Sequence, residues 1–451
     1  MNDITSIFTL ISFLITMILI FFRPKGMNEA TAATIGAVLI FISGSVSLAD
    51  VADIGSKVTG AALTIIATMV MALTMESIGF FHWAATRLLI AAKGSGIRLF
   101  WLTNLLCFLM TLFLNNDGSI IITTPVLLML FRKIGLKQKE KFPYLISGAL
   151  IATASSVPIG VSNIVNLISL NMIGLDLYMQ TAMMFIPGIV GLAFLYFILL
   201  GVFYRHLPKK IPLIKNNIDY RKIPSLHPLH SEPNVEDLKR QSKLMVGVFA
   251  FIFLVRIALF VASYYDIPIS IVAVSSSVLL LGWRWFYLKI NPSDMVKKTP
   301  WDIFVFAYAM YIVVYGLHNI GLTNFLVQHL EPIMDDHLFK VSLIMGSILT
   351  LMSNVFNNHP ALMIGTFTLT EMNLEPIVLQ TLYLANIIGS DIGALLIPTG
   401  TLATLIWMHI LKQHNVKVSW GNYMKVTLIV IPATVIFSIV ILYIWLDLFF
   451  Y

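Results

Sequence analysis

The chain is poor in charge and almost without cysteine. Only 11% of its 451 residues are Asp, Glu, Lys or Arg, where a soluble domain carries about 25%. Cys107 is the single cysteine, which excludes an intramolecular disulfide and a multi-thiolate metal site. The nucleotide-binding pattern G-x-x-x-x-G-K-[ST], the zinc pattern H-E-x-x-H and the nucleophile pattern G-x-S-x-G are all missing. ATP hydrolysis by this chain and ordinary hydrolase chemistry are therefore not expected, and neither is a metal or cofactor. What is plentiful is apolar: 58% of the residues are hydrophobic, enough for ten or more membrane spans of ~20 residues. The first apolar run, 4–22, is too long for a signal peptide, and its basic residues Arg23 and Lys25 follow it rather than precede it. The composition specifies an all-α polytopic membrane protein.

Apolar runs long enough to span are 4–22, 30–48, 58–78, 177–203, 244–264, 269–286, 301–320 and 426–450. Two more, 144–174 and 377–411, are over-long and interrupted by Pro and Gly. A broken helix inside hydrocarbon must turn its unpaired backbone toward protein or a water-filled cavity. Between these runs lie two pairs of shorter arms. One is 99–114 with 120–131, joined by Asn115-Asn116-Asp117-Gly118. The other is 341–355 with 361–369, joined by Asn357-Asn358-His359-Pro360. Arms of this length rise only ~14–24 Å, short of a ~30 Å core, so both pairs read as re-entrant hairpins. Two thin spans joined by an outer loop would give the same sidedness.

That sidedness is set by the basic residues. With both termini outside the cytoplasm, all of the 29 Lys and Arg fall inside except Lys57, Lys340 and the intramembrane Arg256, as the positive-inside rule requires. Arg256 is expected to snorkel outward or to pair with an acid. The +7 net charge thus orients the chain in the plasma membrane and calls for no nucleic-acid partner. External segments collect Asp50, Asp53, Glu331, Asp335, Asp336, Glu371 and Glu375. An internal repeat follows. Asn115-Asn116 recurs as Asn357-Asn358, and Pro158-x-Gly160 recurs at nearly the same offset as Pro398-x-Gly400. The division expected is a first repeat 1–204 (hairpin tip 115–118, helix break 153–163), a cytoplasmic linker 205–243, and a second repeat 244–451 (tip 357–360, break 389–400). Each half reads as five crossings, with one hairpin and one discontinuous helix. An odd number of crossings gives the halves opposite topology, the inverted-repeat arrangement of carriers that bind solute near the midplane.

Four interruptions should therefore converge. The solute-binding candidates are Asn115, Asn116, Ser162, Asn163, Asn166, Asn357, Asn358, Thr399 and Thr401, whose amides and hydroxyls both donate and accept hydrogen bonds. Thr153, Ser155, Ser156 and Ser390 belong to the same breaks. Asp117, Asp391 and His359 are the candidates for carrying a proton or a coupling cation. Asp117 as a helix cap, and Asp391 as a partner of unwound backbone, are the structural readings of the same residues. The tips and breaks hold no Lys or Arg of their own, which argues for a small polar or weakly charged solute. Without a nucleotide motif, transport energy would come from an ion gradient, the membrane potential or a separate ATPase.

The stretches Asn115-Asn116-Asp117-Gly118, Ser162-Asn163-x-x-Asn166, Ser353-Asn354-Val355-x-Asn357-Asn358 and Ala385-Asn386-Ile387-Ile388-Gly389-x-Asp391-x-Gly393 resemble the arsenical pump membrane protein family of the ion transporter superfamily. So does Pro398-x-Gly400-x-Leu402-Ala403-Thr404-Leu405-x-Trp407, followed by Ser419-Trp420-Gly421. The resemblance covers roughly residues 20–450. It implies an inverted-repeat elevator-type fold, often a homodimer. It also implies export of arsenite or antimonite, in exchange for protons or with a soluble ATPase docked on the cytoplasmic side. Arsenous and antimonous acids are small neutral triols, which amides and hydroxyls can hold and a thiolate-free site can release. Three positions depart from the family pattern, which has an acid at Thr153, a lysine near Leu395 and a non-titrating residue at His359. A sodium- or proton-coupled carrier of another small solute, such as a dicarboxylate carrier or a sodium–proton antiporter, is the second reading.

Overall fold

The computed structural model describes residues 3–212, 235–334 and 337–451. The middle of the expected linker, 213–234, and the external acids Asp335 and Asp336 lie outside the described residues. The first half runs α1 (Asp3–Phe22), α2 (Glu29–Ile42), α3 (Leu48–Ser77), α4 (Phe80–Ala91), α5 (Gly96–Phe113), α6 (Asn116–Lys133), α7 (Gln138–Ala154), α8 (Ile164–Ile173) and α9 (Leu177–Phe203). The second runs α10 (Val235–Tyr264), α11 (Ile269–Leu288), α12 (Ser293–Lys298), α13 (Asp302–Asn319), α14 (Leu322–Met334), α15 (Leu338–Phe356), α16 (Asn358–Glu371), α17 (Pro376–Asp391), α18 (Leu402–Gln413) and α19 (Trp420–Phe449). Ten helical stretches among the described residues are long and apolar enough to cross a membrane. The architecture is all-helical, as the composition requires.

Packing relates the two halves by exchange. Helix α2 packs on α13 as α11 packs on α3, and α6 packs on α18 as α16 packs on α8. Helices α9 and α19, and likewise α3 and α13, meet their own counterparts. This reciprocal pattern is what a pseudo-two-fold produces. It also sorts most helices into two groups, α1–α3 with α10–α13 and α5–α9 with α15–α19, while α4 and α14 pack against members of both. Inside the second group the Phe194 and Phe437 rings stack at 3.9 Å. A Cβ added at Gly191 would run into Ser438 Oγ, so small residues let α9 and α19 approach closely.

Several bounds differ from those read in the sequence. The hairpin arms are longer than their apolar runs: 18 residues each for α5 and α6, 19 for α15 and 14 for α16. Polar ends extend them, with Ser95 Oγ accepting from Arg98 N and Arg132-Lys133 completing α6. Their tips nonetheless stay buried, with Asn115, Asn116, Asn357 and Asn358 at 1–3% exposure. Helix α2 stops at Ile42, short of the end of its apolar run. Gly44, at φ +75°, turns the chain there in the left-handed region that glycine tolerates. Ser47 and Asp50 then form a reciprocal cap that starts α3. That cap draws 48–57, including the Asp53–Lys57 ion pair at 2.8 Å, into a 30-residue helix, ~45 Å long. Its first turns therefore reach beyond the hydrocarbon. Two short helices absent from the expected spans, α4 and α14, precede the hairpins in matching places of the two halves. At the linker's start, Ile211 N donates to Gly94 O at 2.9 Å. Its last described residues, 235–243, already belong to α10.

Candidate functional site

Each hairpin tip is built by an asparagine that starts the second arm. Asn115 is extended, and its Oδ1 accepts from Gly118 N at 2.7 Å, capping the first turn of α6. Asn116 turns its Oδ1 onto Asp117 N at 2.8 Å. At the other tip Asn357 sits at φ +75°, ψ 153°, outside the αL basin that Asn tolerates and in a region otherwise left almost entirely to glycine. Its Oδ1 faces His359 N and Nδ1 at 3.5 and 3.3 Å, and its Nδ2 donates to Thr399 O at 3.3 Å. The second tip is thereby tied to the second break. Asp117 and His359 occupy the same place in their repeats, each second after its capping asparagine. His359 is buried with its ring edge-to-face against Phe306 at 5.3 Å.

The breaks answer the question of where unwound backbone finds partners. In the first, Gly160 N donates to Gln180 Oε1 of α9 at 3.2 Å, and any Cβ at Gly160 would collide with that amide. Asn163 caps α8 through Val165 N. In the second, Asn354 of α15 is a strut: its Nδ2 donates to Gly393 O at 2.8 Å and Thr350 O at 2.7 Å, while its Oδ1 accepts from Ile397 N at 3.0 Å. From α19, Tyr423 OH donates to Leu395 O at 3.0 Å and Thr427 Oγ1 to Leu396 O at 2.7 Å. Gly389 lies so close to Gly346 O of α15 that a side chain there would collide. The two breaks match best at their helix caps, Asn163 and Thr401. Aligned on those caps, the Pro-x-Gly motifs themselves fall slightly out of structural register.

The breaks meet at Asp391. This acid is fully buried at the end of α17, and its Oδ2 contacts Ser156 Oγ at 2.6 Å and Asn166 Nδ2 at 2.8 Å. Its Oδ1 accepts from Asn163 Nδ2 at 3.1 Å and Ser390 Oγ at 3.4 Å. Three of these partners come from the first half. Tyr383 OH adds a parallel link to Asn166 O at 2.9 Å. Ser156 Oγ also donates to Thr153 O at 2.8 Å. A hydroxyl has one hydrogen, so it satisfies both neighbours in full only when Asp391 carries a proton and donates to it.

Of the residues expected to bind solute, Asn163 and Asn166 thus converge on Asp391, and Asn357 joins Thr399. Thr401 spends its hydroxyl on Thr404, whose N–H and Oγ1 lie at 3.1 and 2.8 Å. Among the described residues no hydrogen bond links the two tips to each other. Several buried polar atoms have no partner within the protein, among them Asp117 Oδ1, Ser162 Oγ, Thr153 Oγ1 and both amide atoms of Asn358. One expectation is corrected. Arg256 neither snorkels nor pairs with an acid; it reaches the first tip and donates from Nη2 to Leu114 O at 2.8 Å, so the site does have a neighbouring cation. Its lone place in an apolar span was the available signal. Asn354 stood in plain view within the family-like stretch 353–358, whereas Gln180 and Tyr383 sit unmarked inside apolar runs and Tyr423 precedes the run 426–450.

Buried polar interruptions that meet inside one group of an all-helical, many-span protein define a membrane transporter. The chain belongs to the arsenical pump membrane protein family, whose pattern it matches over residues 8–446. It is 57% identical over 438 residues to the putative arsenical pump membrane protein of Bacillus subtilis (strain 168), covering 97% of this chain and 99% of that one. It is 30% identical over 418 residues to the arsenical pump membrane protein of Escherichia coli (strain K12), covering 92% and 94%. Its fold is similar to the crystal structure of the Alcanivorax borkumensis YdaH transporter, described as having an unusual topology, with a TM-score of 0.53 and 10% identity over 99% of both chains.

Proposed function

We propose that this transporter exports arsenite or antimonite as the neutral triol, across the plasma membrane and in exchange for protons. The linker would lie in the cytoplasm and both termini outside it. The halves 1–204 and 244–451 serve as the inverted repeats, and α5–α9 with α15–α19 move as one body against the other group. The observation that carries this reading is the Asp391 cluster. It fastens break to break across the halves, and its hydrogen count changes with one proton. When Asp391 gives up that proton, Ser156 must turn its single hydrogen from Thr153 O to the carboxylate, so proton transfer reshapes the first break. The solute's hydroxyls would be held by the unpartnered Asp117 Oδ1 and the Asn358 amide, with Asn115, Asn116, Ser162, Asn357 and Thr399 around them. His359 is the second titratable group at a tip.

The test is arsenite and antimonite flux in everted vesicles, with proton and sodium gradients imposed separately. Accumulation driven by an acidic lumen supports the reading. Sodium-driven movement of a carboxylate with no arsenite flux would replace it by the sodium-coupled alternative.

A further inference from the structure

Arg256 crosses the boundary between the two helix groups. It belongs to α10, while its acceptor, Leu114 O, ends α5 at the first hairpin tip, immediately before the capping Asn115. Carbonyls at a helix C-terminus lack partners within the helix and form the negative end of its dipole, so a guanidinium suits them. Phe113, next in line, meets α10 as well, with its ring 4.9 Å from that of Phe249. Arg256 is 6% exposed, and its Nε and Nη1 have no partner within the protein. Holding so poorly satisfied a cation inside a membrane is costly, and the one bond it makes is to the tip.

The matching place in the other half is filled differently. Phe13 of α1 corresponds to Arg256, and Phe356 corresponds to Leu114, at nearly the same offset along the chain. Phe13 and Phe356 meet ring to ring at 5.3 Å, edge to face. One tip is thus gripped through a backbone carbonyl by a cation, and the other is touched by an aromatic ring, which slides at lower cost. External to these, only the more exposed His318–Glu371 contact, at 3.7 Å, joins α13 to the second hairpin by charge among the described residues.

We infer that Arg256 is a positioning residue, a latch that holds the first hairpin against α10 in the state seen here and must release for the transporting body to move. This rests on the two-body reading proposed above. Breaking the bond leaves the guanidinium without any protein partner, so the latched state is favoured by the worth of one hydrogen bond to a charged group, roughly ten- to hundredfold in population.

The experiment needs no solute. Cys107 is replaced by Ser and Phe113 by Cys, a position buried beneath Phe249 and uncovered when the hairpin leaves α10. Maleimide labelling in vesicles then reports the unlatched population. Arg256→Met, which keeps the bulk and removes the bond, should label about ten- to hundredfold faster than Arg256, and Arg256→Lys should restore most of the protection. Size-exclusion profiles verify folding, and if the Met variant misfolds, the Lys variant compared with Arg256→Gln gives the same reading. Equal labelling of Arg and Met proteins overturns the latch. Faster labelling in a protein that moves no arsenite keeps the latch and removes the solute assignment instead.

Discussion

Replacing Asp391 by Asn tests the centre of the scheme, because the amide copies the shape of the protonated acid but cannot release a proton. Its nitrogen can donate to Ser156 Oγ, leaving Ser156 free to donate to Thr153 O. In that orientation it faces Asn166 Nδ2, donor to donor, across a 2.8 Å contact. Turned over, it faces Asn163 Nδ2 across 3.1 Å instead. Either way one buried donor goes unmatched, which costs about 1–3 kcal/mol. Asp391→Ala strands the donors of Asn163 and Asn166 together, while Ser156 keeps Thr153 O, at about 2–6 kcal/mol, and separates the breaks. The Asn protein should therefore fold with a modest loss of melting temperature, and the Ala protein with a large one. In everted vesicles the Asn protein should equilibrate arsenite downhill and stop concentrating it when the lumen is acidified. An Asn variant that still concentrates arsenite on a pH gradient as the unmodified protein does would show that the proton travels on another group, with Asp117 the next to test.

Asn358→Ala removes a buried amide that bonds to nothing inside the protein, so stability should not fall by the ~1–3 kcal/mol that breaking a buried pair costs, while resistance in an arsenite-sensitive host is lost; normal resistance removes Asn358 from the solute's partners. Asn354→Ala does the opposite. It deletes three bonds that brace the second break, and thermal unfolding should register about 3 kcal/mol of destabilisation; a change below about 1 kcal/mol would mean the break supports itself.

Much of this arrangement was legible in the chain because membranes punish exceptions. A paired Asn inside an apolar run, a Pro-Gly break in an over-long one, and a lone Arg in another are each expensive in hydrocarbon, so each marked a place where protein had to supply partners. The recurrence of Asn115-Asn116 as Asn357-Asn358 then marked two tips whose helices exchange partners between the halves. The partners themselves were not legible. That Asn163 and Asn166 would serve Asp391 from the opposite half is a tertiary fact, set by how α8 and α17 pack. Nor could periodicity show that α3 begins at Leu48, because the cap formed by Ser47 and Asp50 overrides an otherwise polar, loop-like stretch. Hydropathy reads the hairpin arms short for a related reason, since it stops at Arg98 and Arg132 although the helices continue through them.

The halves match in backbone and differ in chemistry, and that difference bears on how many protons move. Asn163 and Asn166 grip an acid, whereas their counterparts in the second half, Thr401 and Thr404, bond to each other as a helix cap. The position matching Asp391 in the first half is Thr153, whose hydroxyl cannot ionise. The fold therefore builds the break-to-break acid cluster once. If that cluster carries the exchanged proton, a neutral triol leaves for each proton that enters, and every cycle moves one net charge. A charge crossing the whole membrane is worth about 2.3 kcal/mol per 100 mV, enough for a gradient of more than tenfold in solute. A lumen-positive potential imposed on everted vesicles, with no pH difference, should then drive arsenite accumulation. Accumulation that responds to pH and ignores potential would mean that a compensating charge travels too, and His359 at the second tip would be where to look for it.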